Sequence, residues 1–197
     1  MREPDKIDLL DDICSPRREV NRATLEQVIT LSIEIAREGR EGRKIGTMFA
    51  VSDSDATLNR SKCMILDPLW NHPVSEKHIT NPDMRETVKE LAQLDGAFIV
   101  SDDGIVLSAC RYIHAPFEGL ELPLGLGARH MAAAAISHHT KAVAVVVSES
   151  SIVRVFDEGE IISEIIPELW MFKRYSLHLT GPYRTRSDEQ LTVVSKP

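Results

Sequence analysis

Three short stretches of this chain carry groups suited to handling a phosphate and a divalent ion. They are Asp95-Gly96-Ala97, Gly125-Leu126-Gly127-Ala128-Arg129-His130 and Val147-Ser148-Glu149. Asp95 falls where a helix should end, and a carboxylate there opposes the helix dipole. At the mouth of a strand it is suited to Mg²⁺ or Mn²⁺, and Gly96 and Ala97 leave the backbone open to a ligand. The same residues also make an ordinary helix stop with Gly96 at positive φ, and taken alone they favour that structural reading. Gly127 leads into a helix whose first N–H groups are unpaired and point outward, a ready anion site. Arg129 and His130 in that first turn are unfavourable unless an anion answers them, so anion site and exposed polar turn stand even. No Gly-Lys-Ser/Thr follows, which excludes a Walker phosphate loop. Ser148 and Glu149 close an apolar strand, the position where ligands collect in sheet proteins, although such a pair more often starts a turn. Tyr112 ends another strand; it could stack on a base for roughly 1–3 kcal/mol or pack in the core. His138 and His139 complement a helix end, and the remaining histidines show no ligand spacing.

The elements that must position these residues can be read from periodicity. Residues 23–38 place Leu25, Val28, Ile29, Ser32, Ile35 and Ala36 on one helical face. Residues 44–52 read as a buried strand. Residues 53–81 show no clear period. Asn81-Pro82 opens a second helix as N-cap and first helical residue, with Met84, Val88, Leu91 and Leu94 as its buried stripe. Residues 97–101 and 105–112 form a hairpin across Asp102-Asp103-Gly104. A third helix runs from about Ala128 to His139, rich in alanine and so able to lie close to a sheet. Residues 142–148 read as a central strand, 152–156 and 160–165 as a second hairpin, and 167–179 as a last helix. Helices alternate with strands, but two hairpins exclude a purely parallel sheet. The expected fold is α/β, a mixed parallel and antiparallel central sheet with helices on both faces. The expected organisation is a polar N-terminal segment (1–22), one catalytic domain (23–180) and a polar C-terminal tail (181–197).

Composition narrows the class. The 197 residues are 43% hydrophobic and 27% charged, with net charge −7, which argues against a general nucleic-acid binder. Cys14, Cys63 and Cys110 form no CxxC pair, so neither a zinc site nor a disulfide framework is expected. No apolar run suits a signal peptide or a membrane helix. A soluble cytoplasmic protein is the expectation.

The ordered trio resembles the signature of the diadenylate cyclase family. Its members carry Asp-Gly-Ala after a helix, then an Arg-His-Arg motif within Gly-Thr-Arg-His-Arg, then a Val-Ser-Glu strand end and a hairpin. Here these correspond to Asp95-Gly96-Ala97, Gly127-Ala128-Arg129-His130-Met131 and Val147-Ser148-Glu149, over about residues 44–165. Ala128 and Met131 depart from the pattern, and Arg111 and Arg154 are candidate substitutes for the missing arginine. The resemblance implies condensation of two ATP into cyclic di-AMP with Mn²⁺ or Mg²⁺, in a homo-oligomer whose active sites face in pairs. It implies Asp95 and Glu149 as metal ligands, and Asp95, Arg129 and His130 as catalytic residues. It places Gly96, Ala97, Tyr112, Gly127, Ala128, Arg129, His130, Ser148 and Glu149 around the nucleotide. A degenerate member that senses ATP or cyclic di-AMP is the alternative.

Overall fold

The structure is a computed structural model that describes residues 10, 12–15, 18–64, 66–167, 181–187 and 192–196. Helix α1 (Arg22–Glu38) is followed by β1 (Thr47–Val51), α2 (Ser54–Asn59), β2 (Ser61–Cys63) and a 3₁₀ turn (Val74–Glu76). Then come α3 (Pro82–Leu91), β3 (Ala97–Val100), β4 (Val106–Ile113), α4 (Ala128–His139) and β5 (Val143–Val147). Strands β6 (Val153–Asp157), β7 (Glu160–Ile166), β8 (Arg184–Ser187) and β9 (Thr192–Ser195) complete the described elements. They make one nine-stranded sheet in the order β2-β4-β3-β1-β5-β6-β7-β9-β8. The β1–β3 pair is parallel and every other pair antiparallel. The expected mixed sheet is therefore present.

Both faces of the central strands are buried, which is why β1 and β5 read as unbroken apolar runs. Phe49, Val51, Val143, Val145 and Val147 pack with Leu25, Val28 and Ile29 of α1 and Val88 of α3. On the other face Met48, Ala144 and Val146 pack with Ala133, Ala134, Ala135 and Ile136 of α4. Small alanines let α4 sit close to the sheet, so its first turn lies directly against strand ends.

Several expectations need correction. Leu94 is 47% exposed, because α3 ends at Leu91 and the chain turns before Asp95. Residues 53–81 hold α2, β2 and the 3₁₀ turn, each too short to show a period. The C-terminal segment is not a polar tail: β9 pairs with β7 and buries Val193 and Val194. Ile13 and Cys14 also join the core, so the folded unit reaches past both expected bounds. Strands this short are specified by sheet hydrogen bonds more than by pattern. The helix expected over 167–179 lies, from residue 168 on, outside the described residues.

Lys89 of α3 ties that helix to α1. Its ammonium lies 3.0 Å from Glu86, 3.1 Å from Glu34 and 3.2 Å from Glu38, and the residue is 7% exposed. Burial alone would lower its pKa, but the three carboxylates outweigh burial and hold it above the ordinary lysine range. Lys89→Met leaves those carboxylates facing one another and should lower stability by about 1–2 kcal/mol. Urea unfolding of both proteins measures this, and an unchanged midpoint would refute it.

Candidate active site

Asp95 reaches the site because Gly96 allows it. Gly96 has φ of 109°, and a Cβ there would lie 2.6 Å from the backbone carbon of Cys110. Glycine thus lets the turn after α3 press against β4. Asp95 Oδ1 accepts from the Gly96 N–H at 2.9 Å and from Arg129 Nη2 at 3.2 Å. Arg129 projects from the first turn of α4, and its Nη1 lies 3.6 Å from Glu149 Oε1. One guanidinium therefore sits between two carboxylates delivered by separate elements. The Ser148 hydroxyl bonds the Ser150 hydroxyl at 2.6 Å and accepts from the Ser150 N–H at 3.0 Å, fixing the turn that presents Glu149.

Beside this group opens a cavity of about 530 Å³ between α4 and the strand and loop at residues 111–117. Asp95, Gly96, Tyr112, Ala128 and Arg129 line it. Tyr112 is half exposed, with Lys62 Nζ 5.4 Å from its ring centre. Ala97 is buried in β3, and Gly127 caps α4 without a side-chain bond; neither lines the cavity. His130 turns inward: it is 8% exposed, with Nε2 3.1 Å from Arg154 Nη1. The structure thus brings Asp95, Arg129 and Glu149 together and places His130 in the core beneath them.

Both departures from the motif, Ala128 and Met131, face the cavity. Of the two candidate substitutes, Arg111 lines it. Its Nε donates to Ser61 Oγ at 3.1 Å, and its Nη2 to the carbonyls of Ser61 and Leu58 at 3.0 and 3.3 Å. Arg154 is 1% exposed and paired with Glu164, so it cannot reach a phosphate in the cavity. Residues 111–117 also contribute His114 and Phe117, and Met64 joins them; no periodicity marked these. Gly46 was also missed. A Cβ on it would stand 2.8 Å from Arg129 Nη1 and 3.2 Å from Glu149 Cγ. A glycine at the start of an apolar run was the one available signal. The Cys110 thiol is pushed up by burial, then by the charges of Asp67 and Asp95, and so stays an unreactive thiol.

Among the described residues no group of three or more His, Cys, Asp or Glu could enclose a metal. Asp95 and Glu149 are instead two exposed carboxylates, 70% and 74%, spanned by one arginine. That donor set fits Mg²⁺ or Mn²⁺ shared with phosphate oxygens, since such ions are commonly held by one or two carboxylates plus substrate phosphates.

A family model described as DisA bacterial checkpoint controller nucleotide-binding (DAC) matches residues 34–161. The chain is 45% identical over 150 residues to a diadenylate cyclase of Methanocaldococcus jannaschii, covering 76% of this chain and 47% of that protein. It is 40% identical over 149 residues to a diadenylate cyclase of Haloferax volcanii, covering 74% and 54%. It thus spans about half the length of these curated relatives. A Bacillus cereus crystal structure, described as a hypothetical membrane spanning protein, matches with TM-score 0.52 at 21% identity, over 71% of this chain and 66% of that one; the likeness is one of fold. No helix among the described residues is long and apolar enough to cross a membrane. With one residue of each motif meeting at Arg129 and the family model matching residues 34–161, this chain belongs to the DAC family of DisA-type nucleotide-binding domains.

Proposed function

We propose that the chain is a diadenylate cyclase, condensing two ATP into cyclic di-AMP and two pyrophosphates. The observation that carries this is Arg129 held between Asp95 and Glu149 at the edge of the 530 Å³ cavity. Its two ion pairs are exposed and 3.2 and 3.6 Å long. Such pairs contribute little, on the order of 0–1 kcal/mol, so a triphosphate can displace them at small cost. Arg129 and the free N–H groups of the α4 start then hold phosphate, with Gly127 and Ala128 leaving them unobstructed. Tyr112 stacks on adenine. Asp95 and Glu149 would hold a divalent ion, with Asp95 serving the attacking 3′-hydroxyl. A bound Mg²⁺ or Mn²⁺ supplies neutralisation of charge on the phosphoryl oxygens and lowers the pKa of that hydroxyl.

In the reaction each 3′-oxygen loses its proton and forms a bond to the other α-phosphorus, while the bond to pyrophosphate breaks. The product is two-fold symmetric, so two copies of the site face each other as an isologous pair. Holding both nucleotides in line can lower the barrier by about 7–11 kcal/mol. The reading places the reaction in the cytoplasm, with neither nucleic acid nor membrane as a partner.

Incubation of purified protein with ATP and Mn²⁺ or Mg²⁺ should yield cyclic di-AMP and pyrophosphate in a 1:2 ratio on chromatography. Met131 faces the cavity in place of the second arginine of the family motif, which favours a second reading, a nucleotide-binding regulator without turnover. Tight ATP binding with no pyrophosphate released under either metal would select the regulator. No ATP-dependent rise in melting temperature would reject both.

A further inference from the structure

A buried polar cluster lies beneath the first turn of α4. His130 is 8% exposed, Arg154 1% and Glu164 0%. Arg154 and Glu164 are directly opposed across β6 and β7. Arg154 Nε donates to Glu164 Oε1 at 2.6 Å, and its Nη1 lies 3.1 Å from His130 Nε2. A guanidinium has donors and no acceptor. His130 Nε2 must therefore accept, which leaves the ring proton on Nδ1. The ring also leans on Phe156, with centroids 6.1 Å apart. A buried ion pair adds little net stability over apolar residues of the same size. It does impose direction, because each charged group must meet its partner.

We infer that Arg154 and Glu164 are positioning residues for the nucleotide site. Glu164 orients Arg154, Arg154 holds His130, and His130 fixes the roll of the first turn of α4 on the sheet. The neighbouring Arg129 consequently emerges between Asp95 and Glu149. His130 is a buried anchor and not a phosphate ligand, contrary to what the motif resemblance implies. This inference rests on the reading that Arg129 holds the triphosphate.

The test replaces the pair by apolar residues of similar volume, Arg154→Met/Glu164→Met. The folded variant should keep its melting temperature within a few degrees. Its ATP dissociation constant should rise, and its kcat fall, by about 10- to 100-fold, the range expected for a misplaced binding group. A merely structural pair would shift melting and leave both constants alone, which overturns the inference. Imidazole ¹⁵N spectra supply an independent readout. His130 should be the Nδ1–H tautomer with and without ATP; an Nε2–H ring, or one that becomes protonated as ATP binds, also overturns it. Should the double variant not fold, His130→Gln keeps an acceptor toward Arg154 and His130→Leu does not. The first should bind ATP about 10-fold more tightly than the second, and equal affinities refute the anchor. If the wild type binds ATP but makes no cyclic di-AMP, the cyclase reading fails while the affinity comparison still decides this one.

Discussion

Asp95→Asn should lower cyclic di-AMP formation by about 10²–10³-fold or more, the scale set by removing one charge-stabilising group from a reaction centre. ATP affinity should change little. Asparagine keeps the size of the side chain and an oxygen for the Gly96 N–H, now bonded to Asp95 Oδ1 at 2.9 Å. What it loses is the negative charge, which Arg129 shares at 3.2 Å and a divalent ion needs. Because Asp95 is 70% exposed, the fold should not notice. Single-turnover product assays and calorimetry on the same preparation separate the two quantities. Equal loss of binding and turnover would contradict the role given to Asp95 and make it a determinant of nucleotide affinity.

Gly96→Ala, one residue further on, should act through the fold. The added Cβ would meet the Cys110 carbonyl carbon at 2.6 Å and the Arg111 nitrogen at 2.8 Å, both backbone, with φ at 109°. Neither atom can yield without breaking the β3–β4 pairing. Strain and overpacking together should cost about 2–4 kcal/mol, read by urea denaturation. Gly119→Ala separates the two causes: φ there is 82°, but nothing lies within 4 Å. It should cost about 1 kcal/mol, from φ alone. Similar losses at both positions would mean that packing against β4 is not what requires Gly96.

The long periodic elements were legible. The expected helices over 23–38 and 128–139 match α1 (Arg22–Glu38) and α4 (Ala128–His139) within a residue. Such helices bury a stripe, and a stripe leaves a period in the sequence. Both hairpins were legible because Asp-Gly and Glu-Gly turns mark them. Residues 53–81 and the strands Arg184–Ser187 and Thr192–Ser195 were not. β9 owes its existence to its pairing with β7, distant in the chain, and the edge strand β8 in turn pairs with β9 alone. Leu94 failed for a related reason: it continues the helical spacing, but the helix stops at Leu91 to deliver Asp95.

Asp95 and Arg129 stood out locally, because a carboxylate at a helix end and a cation at a helix start are unfavourable, but only the ordered resemblance to the family motifs singled them out together with Glu149. Such conflicts are visible one segment at a time. Convergence is not. Arg129 meets Asp95 and Glu149 because α4 packs across the sheet, and that depends on contacts between residues 34 and 20 positions apart. The same holds for His130. Its neighbour Arg129 faces the cavity and His130 faces the core, where it meets the buried Arg154–Glu164 pair. Adjacent residues on a helix point about 100° apart, so which of the two meets solvent is settled by what the helix lies on.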